Sequence, residues 1–231
     1  MKHMSSHSTP RRGGRFRNRG VTLIEVLIAV FVLSIGLLGV AGLQVATAKY
    51  RLGSGLRATA ASLFSDYTDR VRLNTAMAGP NSISGATARE IPAGTTNNSL
   101  YAYQATWTAQ QAESPSSSLC DGDDTCTPYQ RATYDMLTWR KAVRSGLPQG
   151  AAFVEGNRQT GIMVTLMWYD KDYTDKSFQT DDRGDATKVG LVTATQCDAV
   201  TATVGMALQT CCPNAAAAPE GVRCNRFSFM P

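Results

Sequence analysis

The sequence predicts an α+β fold, in which a long N-terminal α-helix packs on a C-terminal domain that contains a β-sheet. The first observation is an uncharged run of 23 residues, 26–48. The second is that apolar residues at helical spacing continue after this run, so the helix extends beyond it. The third is that two strand-like segments, residues 151–156 and 161–170, follow a well-delimited helix later in the chain.

The uncharged run is long enough to cross a membrane. At about 1.5 Å per residue it forms a helix of roughly 35 Å, against about 30 Å for the hydrocarbon core of a bilayer. Arginines on its N-terminal side place that end in the cytoplasm, so we expect the chain after Lys49 to lie outside the inner membrane. A cleaved secretory signal has the same order of basic and apolar regions, and the small residues Ala46 and Ala48 leave that alternative open.

Positive charge is concentrated at the N-terminal end of the sequence. Residues 1–20 contain Lys2 and five arginines without an acidic residue, whereas the whole chain has a net charge of +5. The remainder is therefore close to neutral, which argues against general nucleic-acid binding. The alternative of DNA binding depends on four basic residues of one later helix, Arg131, Arg140, Lys141 and Arg144.

The composition also bears on catalysis. Both histidines, His3 and His7, lie in the basic segment, so a chain without that segment has no histidine for a nucleophile–base pair or a metal. Aspartates within residues 121–124 and 170–185 lack the spacing of a calcium loop. The sequence GSGLRA at residues 53–58 follows no strand, as a dinucleotide site requires. We therefore expect no enzymatic activity, no catalytic or metal-binding residue and no cofactor.

Six cysteines lie after residue 119 and lack the repeated C-x2-C pairs of a zinc site. Beyond a membrane anchor they are typical of disulfides formed in an oxidising compartment. We expect Cys120 and Cys126 to close a local loop. The other four, which allow three connectivities, are Cys197, Cys211, Cys212 and Cys224. Because a bond between two adjacent cysteines would strain the peptide, we expect each of that pair to have a distant partner.

An amphipathic helix follows the uncharged run, and we expect it to end near Asn74, before Gly79-Pro80, and to pack beneath the C-terminal domain. Its apolar face, at intervals of three and four residues, consists of Leu52, Leu56, Ala60, Leu63, Tyr67 and Val71.

The remaining sequence predicts one further helix, four strands and two long loops. The helix begins at Thr127-Pro128 and ends at Ser145-Gly146. The loops are residues 79–99 and 170–185. The strands are residues 100–108, 151–156, 161–170 and 188–194, of which the third has apolar residues on both faces and is expected to be central.

A specific motif stands at the start of the apolar helix. Gly20 directly precedes Val21, and Glu25 is the fifth residue after Gly20. The sequence RGVTLIEVLIAVFVLSIGLLGVAGLQ resembles the class III signal of type IV pilins and type II secretion pseudopilins. The resemblance implies that a prepilin peptidase cuts after Gly20 on the cytoplasmic face and methylates Val21, the new N-terminus. The family usually has phenylalanine where this chain has Val21, and many of its leaders are shorter.

The acidic residue within the apolar helix needs a partner. An ionised carboxylate in a transmembrane helix costs about 2.5–3.5 kcal/mol on insertion scales, so we expect Glu25 to be paired or protonated. The candidate partner is the ammonium group of Val21 in a neighbouring copy, and a pair within one chain is the alternative. We expect Glu25 to couple this protein to the next pilin during assembly.

Parts of residues 16–75 and 136–170 are similar to PilV-type minor pilins. In that pattern the stem helix finishes with Asp69, Arg70, Arg72 and Asn74. The resemblance implies a pilin-like fold, with the long helix packed on a C-terminal antiparallel β-sheet domain. The resemblance divides the chain into four regions, a cleaved leader (1–20), a transmembrane helix half (21–48), an amphipathic stem helix (49–78) and a periplasmic globular α+β domain with disulfides (79–231).

The resemblance also implies a function, a minor pilin that primes the assembly of type IV pili in a minor-pilin tip complex. The implied partners are prepilin peptidase, the inner membrane, other minor pilins, the major pilin and a tip adhesin, whereas DNA is not expected. The protein would cross the inner membrane once, with a cytoplasmic N-terminus, and then enter the pilus fibre at the cell surface. The alternatives are an I-type pseudopilin of a type II secretion system and a membrane-tethered periplasmic binding module.

Overall fold

The computed structural model describes residues 20–79, 99–115, 120, 125–171, 173, 191–198 and 205–231. The predicted leader up to residue 19, most of the two predicted loops, the aspartates at 121–124 and residues 188–190 of the last predicted strand lie outside the described residues. The chain divides after Arg51 into two compact units. Each unit is described by itself below, and the second one begins at Leu52.

One helix, α1, runs from Leu23 to Leu73 over 51 residues. In the first unit, the described side chains of residues 20–48 are all exposed, including large apolar ones such as Leu38 at 74 % and Phe31 at 67 %. By length and composition, α1 can cross a membrane. Water is a poor solvent for a continuous apolar surface of this kind, which is typical of a site of membrane or protein contact.

The second unit contains short helices and an antiparallel sheet. The strands are β1 (Ala151–Asn157), β2 (Gly161–Tyr169) and β3 (Val222–Phe229), in the order β1-β2-β3. The helices after α1 are a 3-10 turn (Thr75–Ala78), α2 (Trp107–Ala112), α3 (Pro128–Gly146), α4 (Gly205–Thr210) and a second 3-10 turn (Asn214–Ala216). The α+β fold, with a long N-terminal helix packed on an antiparallel sheet, is confirmed.

The sheet places β2 in the centre, as its apolar residues on both faces predict. Strand β1 pairs with it from Ala151 opposite Met167, and β3 pairs with it from Ile162 opposite Phe229. The β1–β2 turn is closed by Asn157, whose Oδ1 accepts hydrogen bonds from the amides of Gln159 at 2.9 Å and Thr160 at 3.1 Å. An asparagine that binds the backbone two residues on is a common turn former.

One face of the sheet packs against the C-terminal half of α1. Tyr67, Val71 and Trp139 are fully or almost fully buried there, and the indole Nε1 of Trp139 donates to the carbonyl of Leu63 at 2.8 Å. Phe64 stacks on Phe227 of β3 with ring centroids 4.7 Å apart. The predicted apolar face of the stem is therefore confirmed over most of its length.

The first member of that face is an exception, since Leu52 is 66 % exposed. Leu56 and Leu63 are half-buried, and burial is complete at Ala60, Tyr67 and Val71. Helical spacing identifies which side of a helix is apolar, but only the position of the sheet determines where along the helix burial begins.

The opposite face of the sheet carries a second apolar cluster. Phe153 and Met167 are buried there beside Trp107 of α2 and the cysteines Cys212 and Cys224. Both faces of the central strand are thus covered, which explains why β2 carries apolar residues on both faces.

At the outer edge of β1, a side-chain amide makes the hydrogen bonds that a neighbouring strand would otherwise make. The amide of Gln110 donates from Nε2 to the carbonyl of Ala152 at 2.8 Å, and its Oε1 accepts from the N–H of Ala152 at 3.0 Å. Beside it, Tyr103 and Val154 exchange two backbone hydrogen bonds of 2.9 and 2.7 Å. These contacts satisfy backbone groups that an edge strand would otherwise expose.

The prediction of a strand at residues 100–108 is wrong except for this single bridge at Tyr103. Thr106 instead starts helix α2, and its side chain accepts a hydrogen bond from the N–H of Ala109 at 3.3 Å. Alternating aromatic residues fit a strand, but threonine at an N-cap position favours a helix equally, and burial of Trp107 is compatible with both.

Two other predicted elements can be compared with the structure. Helix α3 has the predicted bounds, with Thr127 and Gln130 forming a capping box and Pro128 in the first turn. The prediction of a strand at residues 188–194 is wrong for its described part, except for an isolated bridge at Leu191. There, Val192 bonds to Tyr173 and Gly221 through its backbone and belongs to none of the three strands.

Candidate processing and assembly site

Helix α1 begins immediately after Thr22, at the position that the sequence motif marks. The carbonyl of Thr22 accepts hydrogen bonds from the amides of Glu25 at 3.1 Å and Val26 at 3.3 Å. Its hydroxyl Oγ1 also accepts from the amide of Glu25 at 3.4 Å. Threonine followed three residues later by glutamate is the spacing of a capping box, so Thr22 is the N-cap of α1. Gly20 and Val21 therefore precede the helix.

Glu25 lies in the first turn of α1. A negative charge is favourable there, because the unpaired amides at a helix start carry partial positive charge. The side chain is exposed, and its neighbours Ile24 and Val26 are apolar and exposed as well, at 61 % and 51 %. The structure thus places one carboxylate on an otherwise apolar helix start, within one turn of Val21.

The glycine before the predicted cut is not required by the fold of this chain. A Cβ added to Gly20 would meet no heavy atom within 4 Å, and the same holds for Gly36, Gly39 and Gly42. The backbone at these positions also lies outside the left-handed region that favours glycine. Among the described residues, therefore, no neighbour requires glycine at these four positions.

The described cysteines form three disulfide pairs, which supports the prediction of disulfides. Cys120 lies opposite Cys126 with Cα atoms 5.7 Å apart. Cys197 pairs with Cys211 at 4.9 Å, and Cys212 pairs with Cys224 at 5.4 Å, so the adjacent cysteines have separate partners. The last pair joins the segment before the second 3-10 turn to β3 inside the apolar cluster.

A buried carboxylate, which the sequence analysis did not single out, organises the second unit. Asp135 of α3 is only 3 % exposed and accepts hydrogen bonds from Tyr101 and Arg70 at 3.0 and 3.3 Å. Arg131 lies 3.4 Å away on the same helix. Burial raises the pKa of the Tyr101 phenol, and the nearby carboxylate raises it further. An aspartate in the apolar pattern of α3 was the available signal for this cluster.

Three of the four basic residues on α3 have partners within the protein, and the first of them is Arg131, which lies beside Asp135. The guanidinium of Arg140 lies over the ring of Tyr103, 3.7 Å from its centroid, and pairs with Glu113. Burial lowers the pKa of Arg140 and raises that of Tyr103. Arg144 donates to the carbonyl groups of Gln110 and its neighbour. These contacts assign Arg140 and Arg144 a structural role in holding α2 against α3.

Among the described residues, no group of three or more histidine, cysteine, aspartate or glutamate side chains is arranged to hold a metal ion. The residues predicted for processing and assembly lie together at the start of α1. The cysteines and the Asp135 cluster lie in the second unit.

The long helix on an antiparallel sheet is the architecture of a pilin-like protein. Residues 15–41 match the family described as the prokaryotic N-terminal methylation motif. The match supports the type IV pilin and pseudopilin superfamily, and a pilin-like protein that prepilin peptidase processes and that assembles with other pilins. With the apolar helix it is consistent with membrane anchoring followed by incorporation into a pilus. Comparison with curated proteins and with solved structures returned no match.

Proposed function

We propose that this chain is a minor pilin that takes part in priming the assembly of type IV pili, within a tip complex of minor pilins. Prepilin peptidase would cleave it after Gly20 and methylate Val21. The observation that carries the proposal is the methylation motif over residues 15–41, together with Glu25 in the first turn of an exposed apolar helix.

The exposed helix supports both stages of this role. Before assembly, the apolar side chains of residues 26–48 dissolve in the hydrocarbon core of the inner membrane. During assembly, the helices of other pilins replace the lipid. The open positions at Gly36, Gly39 and Gly42 allow another helix to approach closely, as small residues do in membrane bundles.

The position of Glu25 supports an assembly role rather than simple anchoring. A tether has no need for a carboxylate in its apolar segment, since such a group is costly in lipid. Cleavage after Gly20 creates an ammonium group on Val21, the nearest new cation. A neighbouring subunit that supplies this ammonium would neutralise Glu25 and set the axial register between two helices.

The second unit supports a structural rather than a catalytic role, and we propose that the chain is not an enzyme. Its buried carboxylate, Asp135, is bound by Arg70 and Tyr101, and Arg140 is paired with Glu113. These charges hold α1, α2 and α3 together. Disulfides suit a domain that folds in the periplasm, an oxidising compartment.

The first experiment examines processing. The full chain is expressed in cells with and without an active prepilin peptidase, and the purified protein is analysed by N-terminal sequencing and intact mass. We expect a methylated N-terminus at Val21 only with the active peptidase. A chain that still begins at Met1 in those cells would refute the proposal.

The second experiment examines assembly and separates the minor pilin from the alternative of an I-type pseudopilin. Deletion of the protein is expected to reduce surface pili and to leave secreted enzymes unchanged, whereas an I-type pseudopilin would give the reverse. In a complemented strain, Glu25→Ala should be cleaved but excluded from pili. Gln44→Ala, a polar truncation in the same helix, is the matched control and should enter pili normally. Equal incorporation of both variants would argue against a role for Glu25.

A further inference from the structure

We propose that Thr22 is a positioning residue for the cleavage reaction, since it caps α1 and thereby holds the helix start at a fixed distance from the scissile peptide bond. The inference rests on the proposed function, because it assumes that the Gly20–Val21 bond is cut. Cleavage adds one water molecule across this amide, which leaves a carboxylate on Gly20 and an ammonium group on Val21.

The structural evidence is the set of three hydrogen bonds that Thr22 accepts at the helix start. Its carbonyl binds the amides of Glu25 and Val26, and its hydroxyl binds the amide of Glu25 at 3.4 Å. An N-cap residue is itself non-helical, so the helix begins with the next residue, Leu23. The cap therefore fixes the boundary between helix and extended chain two residues after Gly20.

This boundary matters because the backbone groups within a helix are not accessible to an enzyme. The amides and carbonyls of a helical peptide bond are engaged in the helix, and the side chains surround them. A peptide bond ahead of the cap leaves its N–H and C=O free to bind an enzyme in extended form, as in strand addition. The open space around Gly20 adds to this access.

The cap also predicts which kinetic constant changes. A substrate that has the competent conformation for only a fraction of the time binds more weakly by that fraction, while the bound complex reacts at the same rate. The competent conformation has two parts, an extended Gly20–Val21 bond and a helix that starts at Leu23, and loss of the N-cap side chain lowers the population of that helix start by about fivefold. We therefore expect Thr22→Val, which keeps the shape but removes the hydroxyl, to raise KM about twofold to fivefold with kcat unchanged.

Substitution by other N-cap residues distinguishes capping from recognition of the threonine side chain by the peptidase. Serine and asparagine are strong N-cap residues but differ in shape from threonine. Thr22→Ser and Thr22→Asn are therefore expected to have the KM of the natural chain. Thr47→Val is the matched control, because the hydroxyl of Thr47 also binds the backbone of α1, donating to Gln44 at 2.9 Å, but lies far from the cut.

The experiment uses the full precursor in phospholipid vesicles with purified prepilin peptidase, and measures kcat and KM by mass spectrometry of the product. Amide hydrogen exchange of Glu25 is measured on the same precursors, and Thr22→Val alone should lose protection. Failure of the natural chain to be cleaved would refute the proposed function. If the natural chain is cleaved, three results would overturn the role of Thr22. The first is that Thr22→Val leaves KM or the protection of the Glu25 amide unchanged. The others are that Thr22→Val changes kcat alone, or that Thr22→Asn does not restore the KM of the natural chain.

Discussion

The hydroxyl of Tyr101 donates a hydrogen bond of 3.0 Å to the buried carboxylate of Asp135. In turn, the carbonyl of Tyr101 accepts one of 2.9 Å from the hydroxyl of Tyr67 on α1. Arg70, one turn further along α1, binds the same carboxylate. The chain of contacts joins α1, α3 and the segment before α2, three parts of the sequence that are far apart.

The first prediction concerns Asp135. Replacement by alanine leaves Arg70 and Tyr101 without their buried acceptor, so we expect a loss of about 2–3 kcal/mol in the free energy of unfolding. Urea unfolding of the full chain in detergent micelles measures this, with tryptophan fluorescence as the probe, since all three tryptophans belong to the second unit.

The matched control for that prediction is Asp69→Ala on α1. Asp69 is 67 % exposed and lies 3.9 Å from Arg72, so its loss should change the free energy of unfolding by less than about 0.5 kcal/mol. Equal effects of the two substitutions would contradict the role of Asp135 as the buried hydrogen-bond acceptor of Arg70 and Tyr101.

The second prediction concerns alkaline pH. Burial, and to a lesser extent the nearby Tyr101, raises the pKa of Tyr67 above its ordinary value of 10.0. As the pH rises, the phenol therefore loses its proton in the unfolded chain before it does so in the folded chain. The contribution of Tyr67 to the free energy of unfolding is thus complete below pH 10 and decreases as the pH rises beyond it. Tyr67→Phe should cost about 1 kcal/mol at neutral pH and make stability fall less steeply above pH 10.

The measurement is urea unfolding of both chains at intervals from pH 7 to pH 11. Tyr50→Phe is the control, since Tyr50 is 79 % exposed and should leave the pH profile unchanged. The same slope above pH 10 in Tyr67→Phe and in the natural chain would contradict the assignment to Tyr67.

The third prediction concerns the pairing of the adjacent cysteines. Replacing Cys197 and Cys211 together by serine removes one bond and should leave no free thiol. Replacing Cys211 and Cys224 together should expose two free thiols, on Cys197 and Cys212, because it removes one partner from each bond. Alkylation of the unfolded, unreduced chains followed by intact mass counts the thiols, and the opposite result would contradict the observed connectivity.

The fourth prediction concerns the edge of β1. Gln110→Ala removes both hydrogen bonds to Ala152, so we expect a loss of about 2–3 kcal/mol and faster amide exchange at Ala152. Gln111→Ala is the neighbouring control, which loses one exposed hydrogen bond to Gln149 and should cost less than about 1 kcal/mol. Unchanged exchange at Ala152 in Gln110→Ala would contradict the role of this side chain.

Local patterns were sufficient to predict several elements. The helix start at Thr127-Pro128, and the spacing of α1 up to Leu73, both depend on residues close in sequence, and the structure confirms them. Strands β1 and β2 were also predicted, because each has a pronounced apolar pattern between turn residues.

Strand β3 was not predicted, for a reason that lies in its charges. Arg223 and Arg226 interrupt its apolar pattern, and such residues are rare in a strand that lies against a core. The structure pairs Arg223 with Asp170 at 2.6 Å, and Arg226 lies 3.8 Å from Glu155 of β1. Partners that are distant in sequence make these charges compatible with the sheet, and no local pattern reveals them.

The sequence by itself determined the long helix, its apolar first half, the position of Glu25 and the motif at Gly20, because all of these depend on spacing along one helix. The tertiary structure alone decided the pairing of Cys197, Cys211, Cys212 and Cys224, the burial of Asp135 and the closure of the β1 edge by Gln110. Each of these depends on which distant segments meet when the sheet packs on α1, and that is a property of the whole folded chain.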